Sequence, residues 1–208
     1  MLVQTLDELH SACSTSHESR RLIAFCIPVI VPDSILNALN GLAYNFHPGP
    51  PNYPGLYPAC FAIYDSTSRF GATAHVITGK IDSGPIVGVD WIEIPSTIDR
   101  LNLEALSHQL VVHLFQRMAL ALATSDEPLA IVPESWSGRM TTRQDFENLC
   151  EVLPDVSADE IHRRCRADGE GHEHAMFVIL HGRRFLIENM PGDSKVYVGG
   201  QVVSGEGG

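Results

Sequence analysis

A chain of 208 residues has room for one domain, or one domain with a small appendage. Apolar residues make up 44% and charged ones 19%, the balance of a globular protein rather than a disordered, collagenous or coiled-coil one. The 14 Lys and Arg face 25 Asp and Glu, a formal charge of -11, which argues against affinity built on neutralising many nucleic-acid phosphates. Cys13, Cys26, Cys60, Cys150 and Cys165 are odd in number, widely spaced and without a Cys-x-x-Cys pair. They imply neither a disulfide framework nor a zinc knuckle, and a cytoplasmic location suits them. Met1 to His17 show no apolar run of signal-peptide length, and no stretch reaches the roughly 18 to 20 apolar residues of a membrane span.

Leu6, Leu9 and Ala12 recur at helical spacing, so Leu6 to Cys13 is expected to be a short helix. Leu22 to Ile27 is a continuous apolar run, the pattern of a strand buried on both faces of a parallel sheet. Ser34 to Leu39 reads as a helix closed by Asn40-Gly41, and Leu42 to Phe46 as the next strand, which together make a right-handed βαβ unit. Pro48-Gly49-Pro50-Pro51-Asn52-Tyr53-Pro54-Gly55 can only be a stiff, shaped loop. A short helix over Ala59 to Tyr64 precedes strands over Gly71 to Thr78 and Pro85 to Ile94. From Arg100 to Ala123 a long amphipathic helix places Leu103, Leu106, Leu110, Leu114 and Met118 on one stripe. Beyond it, Thr141 and Thr142 cap a helix through Cys150, and Ser157 caps another through Ala167, with Glu160 completing a capping-box pattern. Ala175 to Leu180 and Arg183 to Glu188 flank His181-Gly182 as a hairpin, and Gly199 to Gly208 is expected to fray.

Chemistry concentrates between Tyr44 and Pro85. Asn45 and His47, two apart at the end of a strand, share one face at the carboxyl end, where open α/β sheets place their ligands. Asp82 sits in the turn Gly79-Lys80-Ile81-Asp82-Ser83-Gly84. Taken singly, such residues are turn formers or packed histidines. Together they form part of an ordered pattern: Asn45-Phe46-His47-Pro48, Tyr53-Pro54-Gly55, Phe70-Gly71-Ala72-Thr73-Ala74-His75 and Ile81-Asp82-Ser83-Gly84-Pro85-Ile86.

That pattern resembles the signature of the folate-dependent formyltransferases, the family of methionyl-tRNA formyltransferase, glycinamide ribonucleotide transformylase, formyltetrahydrofolate hydrolase and the sugar N-formyltransferases. The resemblance spans about Leu22 to Ile94. It implies a catalytic set of Asn45, His47 and Asp82, with His75 in support. Asn45 would hold the formyl oxygen of 10-formyltetrahydrofolate, and Asp82 would pair with His47, raising its pKa. The resemblance also places the folate between Ile27, Val29, Ile30 and Val31 on one side and Thr78, Gly79, Lys80 and Ile81 on the other; equally, the first group is simply the end of a core strand. No metal is implied. His172-Glu173-His174 reads as a solvated loop in a Gly-rich segment, without a third ligand. Arg163, Arg164, Arg166, Arg183 and Arg184 read as surface charges, and Tyr53 and Tyr57 either stack on a ligand or pack the loop.

A full family member opens with a Rossmann-like half ahead of the strand placed at Leu22, where this sequence shows one helix. The expected fold is therefore α/β, a truncated Rossmann-like mixed sheet with flanking helices over residues 1-136, plus a small α+β C-terminal segment over 137-208. Its unpaired parallel edge is expected to be covered by a second copy in a homodimer, or by a partner. Where the family has His-Pro-Ser-Leu-Leu-Pro this sequence has His47-Pro48-Gly49-Pro50-Pro51, and that loop, together with the segment from Thr141 to Ala167, resembles the sugar N-formyltransferases more than the tRNA enzyme. The expected activity is formyl transfer to a small-molecule amine, with hydrolysis of 10-formyltetrahydrofolate and non-catalytic binding of folate or a partner as the competing readings. Neither nucleic acid nor membrane enters as a partner.

Overall fold

In the computed structural model, residues 2–14, 21–27, 30–39, 42–168, 174–188, 195–198 and 201–203 are described. After α1 (Leu6–Ser14), the strand β1 (Leu22–Phe25) runs parallel to β2 (Ala43–His47), with Leu22 opposite Ala43 and Phe25 opposite Phe46. The crossover between them carries α2 (Asp33–Ala38), which gives the expected βαβ unit. The helix α3 (Pro58–Tyr64) follows, and the strands β3 (Arg69–Val76) and β4 (Ile86–Glu93) then add antiparallel, so the sheet has the order β1-β2-β3-β4.

β1 departs from its expected double burial: only Ala24 is buried, because the strand ends the sheet. β2 and β3 are the covered strands, and Tyr44, Phe46, Phe70, Ala72 and Ala74 are sealed from solvent there. One face is closed by α4 (Arg100–Thr124), started by Asp99, whose carboxylate accepts from the Asn102 N–H at 2.8 Å. Its buried stripe is Arg100, Leu103, Ser107, Val111 and Leu114, rotated from the leucine stripe that periodicity suggests. Leu106, Leu110 and Met118 lie at its margin. Two polar residues on that stripe are partnered: Ser107 Oγ donates to the main-chain oxygen of Pro48, and Arg100 pairs within the helix with Glu104 at 2.9 Å.

α5 (Arg143–Cys150) starts with a full capping box between Thr142 and Asp145. α6 (Ala158–Ala167) is capped by Ser157, but Glu160 does not reach back; its carboxylate accepts from Tyr64 Oη at 2.8 Å and Arg164 Nε at 2.7 Å. A second, antiparallel sheet follows: β5 (Met176–Leu180), β6 (Arg183–Glu188), β7 (Lys195–Val198) and β8 (Gln201–Val203). His181 and Gly182 turn the first hairpin with φ of 49° and 72°, the pair of positive angles of a type I′ turn. The expected fraying at the glycine-rich end is contradicted at 201–203, which pair with β7, while 199–200 and 204–208 lie outside the described residues.

Phe146, Leu149, Cys150, Ala167 and Phe177 join Ala59, Cys60, Ile63, Phe70 and Leu103 in one apolar cluster, so α3 packs on the sheet side and on the C-terminal segment at once. Among the described residues, no helix is long and apolar enough to cross a membrane. Leu114 is fully buried between α4 and the sheet, so Leu114→Ala should lower the unfolding free energy by about 2 to 5 kcal/mol in urea titration, leaving the denaturant slope unchanged.

Candidate active site

The alternation of β2 sends Asn45 and His47 to one face, and β3 sets His75 directly opposite Asn45 and Thr73 opposite His47. The turn after β3 then folds back and delivers Asp82 to the same place, with its backbone in the left-handed region at φ 40°. A non-glycine residue there is strained, and such strain gathers at sites that other contacts over-determine. Four groups converge on this one carboxylate. Oδ1 lies 3.2 Å from His75 Nε2 and 3.4 Å from Asn45 Nδ2; Oδ2 lies 2.8 Å from the Gly55 N–H and 3.4 Å from His47 Nδ1. Asn45 Nδ2 is also 3.1 Å from His75 Nε2. His47, His75 and Asp82 are buried, and Asn45 is the half-exposed member through which the cluster meets solvent.

The proline-rich loop supplies the remaining geometry. Gly55 adopts φ of 95° and lies against Thr141, so that a Cβ would stand 2.3 Å from the Thr141 oxygen; only glycine brings its N–H onto Asp82 there. At Gly49 a Cβ would stand 2.6 Å from His47 Nε2, so the missing side chain leaves room for the imidazole. Tyr53 O accepts from His47 Nε2 at 3.1 Å. With the proton on Nε2, the neutral ring keeps the lone pair of Nδ1 beside Asp82. Thr73 Oγ1 donates to Gly49 O at 2.8 Å and fixes the loop to β3.

Burial lowers the His47 pKa below its ordinary value, outweighing the Asp82 carboxylate and the Tyr53 carbonyl, which both raise it. This reverses the direction expected from the carboxylate alone: stripping water from an imidazolium costs more than one carboxylate 3.4 Å away returns. For Asp82, burial pushes the carboxyl up, but the hydrogen bond with His75, the charge His47 carries once protonated in acid, and the Gly55 N–H together hold it below the ordinary value.

Two contributors were not among the expected site residues. Trp136 stands edge-on to His75 at 5.1 Å and to His47 at 6.1 Å, anchored by its Nε1–H on Gly84 O at 2.8 Å. The Gly55 N–H is the other, although Gly55 lies in one of the four ordered blocks. Nothing in the spacing marks Trp136, which reaches the cluster from beyond α4; only its size and its Ser and Pro neighbours set it apart in a loop.

Ile27, Ile30 and Ile81 are 48%, 64% and 49% exposed, three apolar side chains left in water on the two segments assigned to folate. Val31 does not belong with them: it is 5% exposed and packs with Leu9, Ile35, Leu39 and Ala43. Val29 lies outside the described residues. Thr78 and Lys80 belong to a self-bonded turn, in which Thr78 Oγ1 donates to Lys80 O at 3.2 Å and Ser83 Oγ does so at 3.0 Å; Gly79 lies against Asp33. Tyr57 stacks on Phe146 at 3.9 Å and is packing, whereas Tyr53 lines a shallow cleft of about 280 Å³ with Asn52, Thr67, Arg69 and Trp91. Arg163 lies over the Tyr64 ring, Arg164 donates to Glu151 O and Arg166 to Ser96 O, so these three tie the segment down. His174 is not solvated as expected: it packs edge-on against Phe146 and reaches Asp168, while His172 and Glu173 lie outside the described residues.

No protein-family model matches the chain. Solved structures match its fold. A sugar N-formyltransferase from Shewanella is similar over 89% of this chain and 74% of its own, at 20% identity and a TM-score of 0.72. A 4-N formyltransferase from Francisella tularensis is similar over 80% and 69%, at 24% identity and 0.66. An N-formyltransferase from Helicobacter canadensis, solved with folinic acid and dTDP-3-aminofucose, is similar over 89% and 65%, at 20% identity and 0.64. The chain therefore has the formyltransferase fold, a mixed α/β sheet flanked by helices.

The direction of the His47 shift has a consequence for stability. Unfolded His47 takes up a proton as pH falls below about 6.5, whereas the folded protein resists it, so acid favours the unfolded chain. Asp82 acts in the same sense lower down, its contribution being present above 3.8 and lost as pH falls through its depressed value. Between about pH 7 and about pH 5, wild type should lose unfolding free energy more steeply than His47→Gln. Parallel slopes in urea titrations would contradict the burial argument.

Proposed function

We propose that this chain transfers a formyl group from 10-formyltetrahydrofolate to the amine of a small molecule, an amino sugar nucleotide being the preferred class. The observation that carries this is the meeting of Asn45, His47 and Asp82 around one buried carboxylate at the carboxyl end of β2, in a formyltransferase fold. The fold neighbour solved with folinic acid and an amino sugar nucleotide supports the choice of donor and acceptor.

The chemistry follows from the geometry. The acceptor nitrogen attacks the formyl carbon, and the carbonyl oxygen gathers negative charge in a tetrahedral intermediate. Asn45, the member open to solvent, donates its amide N–H to that oxygen, an effect worth about 3 to 4 kcal/mol in a preorganised site. The acceptor loses a proton, which His47 takes at Nδ1, directly or through water; Asp82 then stabilises the imidazolium across 3.4 Å. The bond to N10 breaks and N10 leaves with that proton, giving tetrahydrofolate and a formamide. A neutral resting histidine is the state such a base needs, and the burial that lowers the His47 pKa favours it. Ile27, Ile30 and Ile81 offer apolar surface to the pterin, while main-chain groups of the Thr78 to Ile81 turn read its polar edge. Trp136 shields the two imidazoles from bulk water.

Tetrahydrofolate release, followed with a panel of amino sugar nucleotides, tests this. Asn45→Ala should cut kcat by about 10²- to 10³-fold with little change in folate affinity. His47→Ala and Asp82→Asn should lose more. Formate release without any acceptor would replace transfer by hydrolysis. If wild type is as inactive as His47→Ala and 5-formyltetrahydrofolate gives no heat in calorimetric titration, the assignment fails.

A further inference from the structure

Four side chains with no part in the site above meet beneath α3. Cys60, on the inner face of that helix, is fully buried; Asp168, at the C-cap of α6, is 1% exposed; His174 precedes β5. One donor atom from each of these three lies within 4.8 Å of the other two. Cys150, the last residue of α5, adds its Sγ, which is in contact with Asp168 Oδ2, while His174 Nδ1 lies 2.9 Å from Asp168 Oδ1.

The Asp168 carboxylate is the reason to look for an ion. Among the described residues its side-chain partners are a thiol, which is a weak donor, and one imidazole, with no Lys or Arg in its hydrogen bonds or ion pairs. A carboxylate out of water is normally paired with a strong cation or bound to a metal. Two sulfurs, an imidazole nitrogen and a carboxylate oxygen are a mixed set with a soft component, poorly suited to Mg²⁺ or Ca²⁺, which take oxygen. They suit Zn²⁺, which binds sulfur at about 2.3 Å and nitrogen or oxygen at about 2.0 to 2.2 Å in a tetrahedron. Cys60, Asp168 and His174 already offer donors within 4.8 Å of one another, and Cys150 Sγ touches the same carboxylate, so side-chain rotations would serve to close the set around an ion. Tyr57 and Phe146 stand edge-on to His174 at 5.9 and 5.2 Å and hold its ring toward the others, as outer-shell groups do at metal sites.

We propose that Cys60, Cys150, Asp168 and His174 form a structural Zn²⁺ site that staples α3 to the C-terminal segment. Four protein ligands in a buried place leave no open position, so the ion takes no part in the reaction chemistry. Its effect is mechanical. Cys60 lies one turn past Tyr57 and close in sequence to Gly55, whose N–H holds Asp82, so the ion would steady the loop on which the active cluster leans. The sequence alone implied no metal because the four ligands come from four separate elements without a recognisable spacing.

Elemental analysis of tag-free wild type from zinc-supplemented medium should give about one zinc per chain, and removal by dipicolinate should lower Tm, restored by added Zn²⁺. Co²⁺ in its place should show thiolate-to-cobalt charge-transfer absorption. Cys60→Ser and His174→Gln, confirmed folded by far-UV circular dichroism, should lose both the stoichiometric zinc and that absorption. Folded wild type that takes up no stoichiometric zinc from micromolar Zn²⁺ overturns the proposal without recourse to any variant. So does zinc binding that is unchanged in both variants, which would place the ion elsewhere. Neither outcome depends on whether formyl transfer is observed.

Discussion

A carboxylate taken out of water must be met by donors, and around Asp82 that requirement organises the geometry of the whole site. Its oxygens face Asn45 and His47 from β2, His75 from β3 and the Gly55 main chain from the proline-rich loop. Three parts of the chain are thereby held in register by one residue in a strained backbone conformation. The strain is tolerable because the contacts are many, and it serves to aim the carboxylate back over the sheet. If the turn relaxed toward an ordinary conformation, the carboxylate would move away and both histidines would lose their common partner.

Burial, acting against that carboxylate, explains why the histidine beside it is neutral. An ion pair gains energy as charges approach, yet each charge pays for its lost hydration, and in a buried cluster the second effect is the larger for an imidazolium. His47 is 5% exposed and its Nε2–H is already occupied by Tyr53 O, so the proton on Nδ1 would have to be held by Asp82 across 3.4 Å. The contact is too long to repay full desolvation at rest.

How much of this could be read in the sequence depends on the range of the interactions. The strands β2, β3 and β4 follow from local apolar patterning, and α5 and α6 from their caps. The residues around Asp82 could be singled out because they lie in four short ordered blocks. What stayed hidden was set by contacts between distant segments. The buried face of α4 is turned from its leucine stripe to include Ser107, which donates to the Pro48 oxygen 59 residues away. Trp136 reaches Gly84 across 52 residues. Burial itself is such a quantity: a carboxylate near a histidine is visible in a sequence, but the water that both lose is not, and the direction of the His47 shift turned on that loss.

The C-terminal segment has a physical reason to be there. The loop 48–55 has few hydrogen bonds of its own, since prolines supply no N–H, so it must be held from outside. Thr141 does this from the far side: its N–H donates to Pro54 O at 2.9 Å, its oxygen accepts from the Leu56 N–H at 3.0 Å, and Gly55 bridges to it. One residue later the Thr142 capping box begins α5, whose Phe146 stacks on Tyr57 and whose Cys150 packs beneath α3. A helix that starts where the loop is gripped, and ends in the cluster under the next helix, converts a proline-rich turn into a rigid support. The cluster around Asp82 thus leans on residues more than fifty positions beyond it, and the C-terminal segment governs where the Gly55 N–H points.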